Sequence, residues 1–569
     1  MSPKRGPIVP PPRKSEKQKR KTADTNGADA SSPSPPGKLK RTMSSEADST
    51  QEEPLPPSGS VRLLTLIEDV EWEGANGIAI ASEADKEEKS MRVLAWLLHP
   101  LQPEHFIREL FGRPQPVLLS RSNREHFAGL FSRAEIDRQL EEGGLVWTDD
   151  VDAAKYVDGV RTTHNGEGAA TLVDVMRRYD EGCSIRLSWP HRHCDALWSV
   201  LVQLEEVFGS AAGANAYYTP PSCQGFAPHY DDIDAFVLQV EGTKTWRLYT
   251  PRAVDDSMPQ FSSHNLSAEE LEASFEPCGE AVLRPGDLLY LPRGCVHQAV
   301  ACPGDASLHV TASVGRMHTW RDLLEVGLQG ALESASASHP EWRQNLPVDV
   351  ADHLGIVHAD DADDDADDGA DGADASGRPG GVGGSAGGEG DIPDWVERDE
   401  LLQTSSSAAR RSAISLRLRS MLRQLVDELP LDAMVDQFVC QRFLFDRLPP
   451  FVGAQDAARR PSKPEAVTLD SRIRLLSRRA ARLAVEEGVA ALYYSTDNGR
   501  TYRSHAQPQH VDFALEAAPA IERVLTAYPK FVSVRKLPCD SDAQRLDIAQ
   551  ALAEVGVVLV RPPAKGAEA

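Results

Sequence analysis

Three residues of this chain have the types and spacing of a metal site: His229, Asp231 and His297. The first two lie in Pro228-His229-Tyr230-Asp231, and the third closes the segment Gly286-Asp287-Leu288-Leu289-Tyr290-Leu291-Pro292-Arg293-Gly294-Cys295-Val296-His297. Two imidazoles and one carboxylate on one face of a metal leave the opposite positions open, which suits non-haem Fe(II) and oxygen activation. A histidine and an aspartate one residue apart share a face on a β-strand, where alternate side chains point the same way. Such a pair alone recurs by chance. Joined to a Gly- and Pro-punctuated segment that delivers a histidine about 70 residues later, it is a far rarer pattern.

These donors need a scaffold of strands. Short β-like runs bounded by Gly and Pro include Ile185–Leu187, Phe236–Val240, Thr245–Tyr249, Asp287–Leu291 and Leu308–Ser313. Glu241-Gly242, between two of them, reads as a hairpin turn. Many short strands at near-regular spacing predict a sandwich or jelly roll. Before them, Val93–Leu98 and Phe106–Phe111 have helical spacing and Pro116–Leu119 looks like a strand.

The segments Gln224-Gly225-Phe226-Ala227-Pro228-His229-Tyr230-Asp231-Asp232-Ile233-Asp234-Ala235-Phe236-Val237-Leu238-Gln239, Leu291–Ala299 and Ser307–Thr311 closely resemble the ribosomal oxygenases. These are JmjC-domain, 2-oxoglutarate-dependent enzymes of the nucleolar histidyl-hydroxylase type, also described as bifunctional lysine demethylases. The resemblance covers residues 90 to 330 well and the C-terminal third in outline. It implies an α+β chain with a double-stranded β-helix (a JmjC or cupin jelly roll) at 90–318. A helical dimerisation region at 319–460 and a winged-helix-like domain at 465–562 would follow.

The residues themselves support a 2-oxoglutarate site. Fe(II) with three protein ligands can hold a bidentate keto acid and still admit oxygen. The far carboxylate then needs a buried cation. Lys244 shares a strand face with Trp246 and Leu248, and a buried lysine calls for an anionic partner. A strand-end lysine reaching out to solvent is the alternative. The resemblance makes Lys244 the 2-oxoglutarate anchor, helped by Asn215, Tyr217 and Ser313.

His309 shares a polar stripe with Ser307, Thr311 and Ser313, which fits either outer support of the iron site or a hydrogen-bonded core histidine. His191 and His193 read as surface residues. Arg186 fits either the substrate groove or a structural ion pair, and Asp232 points away from the donor face.

The net charge of −25 is segregated. Residues 1–60 read as a disordered basic tail, with Lys17-Gln18-Lys19-Arg20-Lys21 and Lys38-Leu39-Lys40-Arg41 as candidate nuclear import signals. The start lacks the apolar core of a secretory signal, no apolar run spans a membrane, and eight scattered cysteines suggest reduced thiols. Trp320–Leu328 and Ile414–Leu422 have helical spacing, and between them 358–391 reads as an acidic and Gly-rich disordered insertion.

Further on, 471–487 reads as a strand then a helix, Val489–Tyr494 and Thr501–Arg503 as strands, Asp512–Leu525 as a helix, Phe531–Val534 as a strand and Ala543–Val555 as a helix. Glu516, Glu522 and Asp547 on the helices argue against DNA contact. The resemblance implies a C2 homodimer in the nucleus or nucleolus. It also implies hydroxylation of a ribosomal-protein histidine, demethylation of histone H3 methyl-lysine, or both, the latter acting on chromatin and transcription. A cupin metalloenzyme without 2-oxoglutarate, or an idle chromatin or ribosome adaptor, are the rival readings.

Overall fold

Strand alternation separates the chemistry from the packing in this protein. The computed structural model describes residues 61–561 apart from 69, 84–88, 143, 254–256, 357–406, 462, 487 and 501–504. The basic tail, the acidic insertion and the expected strand at Thr501–Arg503 lie outside the described residues.

Strands β1 (Leu64–Ile67) and β2 (Val117–Ser120) precede β3 (Val151–Val157), β4 (Val160–Thr163), β5 (Ser184–Ser188) and β6 (Gly213–Thr219). Then come β7 (Asp234–Glu241), β8 (Lys244–Pro251), β9 (Phe275–Leu283), β10 (Leu288–Leu291), β11 (Val296–Ala301) and β12 (Ser307–Val314). Nine of them form one sheet in the order β1-β2-β10-β7-β12-β6-β5-β3-β4, and β11-β8-β9 form a second.

Ala235 and Val237 point inward and meet Trp246, Leu248, Ala281 and Leu289 between the two sheets. The intervening Phe236 and Leu238, with Val310, Ala312, Ala214 and Ala216, point outward. There they pack with Leu94 and Leu97 of helix Lys89–Leu98 and Leu201 of helix Asp195–Phe208. The double-stranded β-helix expected from the sequence is present, with an inner face left for function.

The Glu241-Gly242 turn is not a hairpin. β7 bonds to β10 and β12, whereas β8 bonds to β9 and β11. The turn carries the chain from one sheet to the other. Gly242 has φ +61°, and a Cβ there would lie 1.6 Å from the Ala306 carbonyl oxygen, so only glycine fits.

Helix Trp320–Ser338, closed at its start by a Thr319–Asp322 capping box, leads out of the barrel. Helices Ser407–Asp427 and Leu431–Phe438 follow. The C-terminal lobe has β13 (Arg472–Leu475), β14 (Ala481–Glu486), β15 (Val489–Tyr494), β16 (Gln509–Ala514), β17 (Val532–Ser533) and β18 (Val558–Arg561). Helices Ala518–Thr526 and Asp542–Glu554 share its core through Ile521, Val524, Ile548 and Leu552.

Two expectations fail in this lobe. Residues 481–486 form a strand rather than a helix, because pairing along β15 overrides the helix-forming composition. Residues 509–514 also pair with β15, and the helix begins only at Ala518, where Pro519 occupies its first turn. Arg447, fully buried, bridges the lobe and helix Asp195–Phe208: its Nε lies 3.4 Å from Glu205, its guanidinium also pairs with Glu206, and it donates to Ser477 Oγ at 3.1 Å.

Candidate metal centre

His229 sits on no regular strand. It forms an isolated antiparallel bridge with His297, the second residue of β11. The two residues exchange both backbone hydrogen bonds, at 3.2 and 2.9 Å, and their rings approach to 4.5 Å between centroids. The strand expected to carry His229 and Asp231 is absent: the single bridge fixes His229, and Asp231 lies on irregular backbone before β7. Asp231 follows, with Oδ2 3.9 Å from His297 Nε2. One ligand atom from each of the three lies within 4.8 Å of the others.

The tautomers suit a metal. His229 Nδ1 lies 2.8 Å from the Ala227 carbonyl oxygen and His297 Nδ1 3.0 Å from that of Cys295. A carbonyl only accepts, so each Nδ1 carries the proton and each Nε2 lone pair is left for coordination. Burial, then the neighbouring His229, lowers the His297 pKa to about 4, which keeps the ring in its neutral, ligating form.

A cavity of about 420 Å³ holds these three residues together with Lys244, Asn215, Tyr217 and Ser313. All seven residues singled out from the sequence meet there. Lys244 begins β8 and is 5% exposed, so it does not reach solvent. Its Nζ donates to Thr219 Oγ1 at 3.0 Å, and among the described residues no carboxylate pairs with it. Burial lowers its pKa to about 7. Asn215 and Tyr217 alternate along β6 with the outward Ala214 and Ala216. Ser313 Oγ donates to the Gly213 carbonyl at 3.4 Å.

His309 also lines the cavity, stacked on Tyr217 at 4.8 Å and edge-on to Trp246. Both ligand Nδ1 atoms bond to backbone carbonyls, so His309 does not orient the histidine donors. Arg186 forms the ion pair, with Asp152, and lines the cavity. Asp232 accepts from Ser262 Oγ at 2.6 Å and lies outside the donor set.

His191 is a correction. It is buried rather than on the surface, because the turn Pro190–Arg192 tucks beneath Arg500, which donates to the Arg192 carbonyl. His193 is half-buried.

Sequence reasoning missed Thr219 and Arg161. Thr219 continues the alternation of Asn215 and Tyr217, and that signal could have found it. Arg161 arrives from the β3–β4 hairpin and stacks 4.7 Å from the Phe226 ring, with no spacing to announce it.

The JmjC domain family matches residues 186–323, and the family described as "Ribosomal oxygenase 1, C-terminal winged helix domain" matches 453–564. Ribosomal oxygenase 1 of Gallus gallus is 37% identical over 84% of this chain and 73% of its own length. Bifunctional lysine-specific demethylase and histidyl-hydroxylase NO66 of Aedes aegypti is 34% identical over 89% of this chain and 73% of its own. A solved structure of YcfD, a ribosomal oxygenase from Escherichia coli in complex with cobalt and 2-oxoglutarate, covers 81% of this chain and 99% of its own, with 15% identity and a TM-score of 0.41. From the sequence relatives, which span most of its length, the chain belongs to the ribosomal oxygenase family of JmjC-domain proteins.

Proposed function

We propose that this chain is an Fe(II)- and 2-oxoglutarate-dependent protein oxygenase. Lys244 carries the reading. It is a lysine amine shut inside a barrel, hydrogen-bonded only to a hydroxyl among the described residues, in the same cavity as a two-histidine, one-aspartate cluster. A dicarboxylate that reached the metal with one end and the lysine with the other would answer both features. A cupin metalloenzyme without 2-oxoglutarate has no use for this lysine, and an idle adaptor has no use for the donor set.

When bound, iron and the keto acid would supply, with dioxygen as oxidant, oxidative decarboxylation to succinate and carbon dioxide and insertion of the other oxygen atom into a C–H bond. The chain's own residues do the positioning. His229, Asp231 and His297 would hold the metal. Lys244 and Thr219 would hold the far carboxylate, with Asn215, Tyr217 and Ser313 on the walls. Trp246 and Leu248, buried on the lysine's face of β8, keep water from that end.

The substrate proposed is a histidine of a ribosomal protein, histone H3 methyl-lysine, or both, in keeping with relatives named ribosomal oxygenase and bifunctional lysine-specific demethylase and histidyl-hydroxylase. A hydroxyl placed on a side-chain carbon stays there. Placed on an N-methyl carbon it leaves as formaldehyde. Succinate formation by the purified protein, with mass spectrometry of ribosomal and histone peptides, tests the reading. Gain of one oxygen means hydroxylation and loss of methyl means demethylation; an absence of succinate with every peptide would refute it.

We also propose a homodimer through the helices that follow the barrel. Leu422 and Val426 are exposed one turn apart on helix Ser407–Asp427, and Leu431 is 65% exposed nearby in sequence. Water-facing apolar rows of this kind mark interfaces. The basic clusters at Lys17–Lys21 and Lys38–Arg41 favour a nuclear or nucleolar location.

A further inference from the structure

A second cavity of about 830 Å³ adjoins the metal pocket and shares Asp232 and Arg316 with it. Its walls are largely apolar: Phe111, Phe208, Met258, Phe261 and Phe438. Phe261 is 67% exposed, and Trp320 at the rim is 82% exposed. Large apolar side chains left in water beside a reactive centre mark a surface that something covers.

The junction between the two cavities is held in a costly shape. Gly315 has φ +80° and Met317 φ +51°, a region that a non-glycine side chain adopts at a cost on the order of 1 kcal/mol or more. Gly315 is pinned on both sides: Arg293 donates to its carbonyl at 2.8 Å, and its N–H donates to Ser210 Oγ at 3.0 Å. The exposed Arg316 between them therefore stands where metal pocket and apolar cleft meet.

We propose that the cleft binds the substrate polypeptide beside the residue being oxidised. The chain crosses Arg316 and buries a bulky apolar side chain among Met258, Phe261 and Phe438. This rests on the oxygenase reading and adds the chemistry of its substrate: a protein segment carrying a large aliphatic or aromatic residue at a fixed offset from the reactive one. Continuity selects this occupant. Any residue entering the metal pocket draws its chain neighbours to the same mouth, and an extended chain advances about 3.4 Å per residue. The arginine's five N–H donors match peptide carbonyls, which an isolated apolar molecule lacks.

The test uses the full chain, immobilised with Mn(II) and 2-oxoglutarate, and a peptide library with a central histidine and randomised flanks. Retained peptides are sequenced, and a parallel Fe(II) reaction is read for oxygen gain. Phe, Trp, Leu and Met are expected to be enriched about tenfold at one position on one side of the histidine. Phe261→Ser and Met258→Ser, at partly exposed positions, should erase that enrichment, and Arg316→Ala should weaken retention whatever the flanks. Unselective retention by the unsubstituted chain, or a preference that survives both serine variants, overturns the proposal. If peptides gain oxygen with no apolar preference, the cleft fails and the oxygenase reading stands. If they are retained with the preference but never oxidised, the cleft stands and the oxygenase reading falls. If Phe261→Ser changes the sedimentation of the protein instead of its peptide preference, a second copy occupies the cleft and the proposal is wrong.

Discussion

His229 and His297 trade both of their backbone hydrogen bonds, so the main chain sets the distance between the two imidazoles before any metal arrives. Their Nδ1 protons are committed to the carbonyls of Ala227 and Cys295. The site is assembled by backbone geometry, and that has direct consequences for substitution.

His229→Ala, His297→Ala and Asp231→Ala should each remove metal binding while leaving the fold intact. Loss of even a group supporting a ligand lowers metal affinity about 10- to 100-fold, so loss of a ligand should exceed that. Titration with Mn(II) or Co(II) alongside circular dichroism checks this, and full metal affinity in any variant would remove that residue from the site.

Lys244→Ala should raise the KM for 2-oxoglutarate far more than it lowers kcat. With a pKa near 7 in the free protein, the amine is partly neutral at physiological pH and must be charged to hold a dicarboxylate. Binding above pH 7 should therefore take up a proton, and affinity should weaken as pH rises further. Calorimetry in two buffers of different ionisation enthalpy reads that proton directly. The same depressed pKa makes the empty fold gain stability as pH climbs from 7 towards 10.5, because the folded state then binds fewer protons than the unfolded chain.

Gly242→Ala should lower the melting temperature sharply. A methyl group 1.6 Å from the Ala306 oxygen, at φ +61°, can be accommodated only by moving the loop that precedes β12. A loss of about 3 kcal/mol or more is expected, measured by thermal or urea unfolding.

Arg447→Ala should cost about 3–5 kcal/mol, because it leaves Glu205 and Glu206 without their shared cation. Limited proteolysis should then cut between barrel and C-terminal lobe first. Unchanged protection there would show that apolar packing alone joins them.

Leu422→Asp with Val426→Asp should give a monomer in sedimentation equilibrium, since both side chains are water-facing in one subunit and a charge there cannot harm its core. A dimer that persists would place the interface elsewhere.

The metal donors were legible from their residue types and the joint motif, although the strand expected beneath His229 and Asp231 is a loop with one bridge, and Lys244 was legible because Trp246 and Leu248 declare the face it shares. The Glu241-Gly242 turn was misread for a physical reason. A short glycine turn looks the same whether it reverses a strand within one sheet or passes it to another, and only pairing partners distinguish the two. Residues 481–486 misled in a different way: Ala, Arg, Leu and Glu favour helices, yet β15 offers a hydrogen-bonded edge that decides the outcome. Arg161 could not be read at all, since its place beside Phe226 depends on how the β3–β4 hairpin folds over the cavity.

One eight-residue strand, β7, lies between the Asp231 donor and the lysine that opens β8. An inserted or deleted residue within it would turn every following side chain to the opposite face and swing the ammonium out of the barrel. This stretch thus acts as a ruler whose length cannot drift.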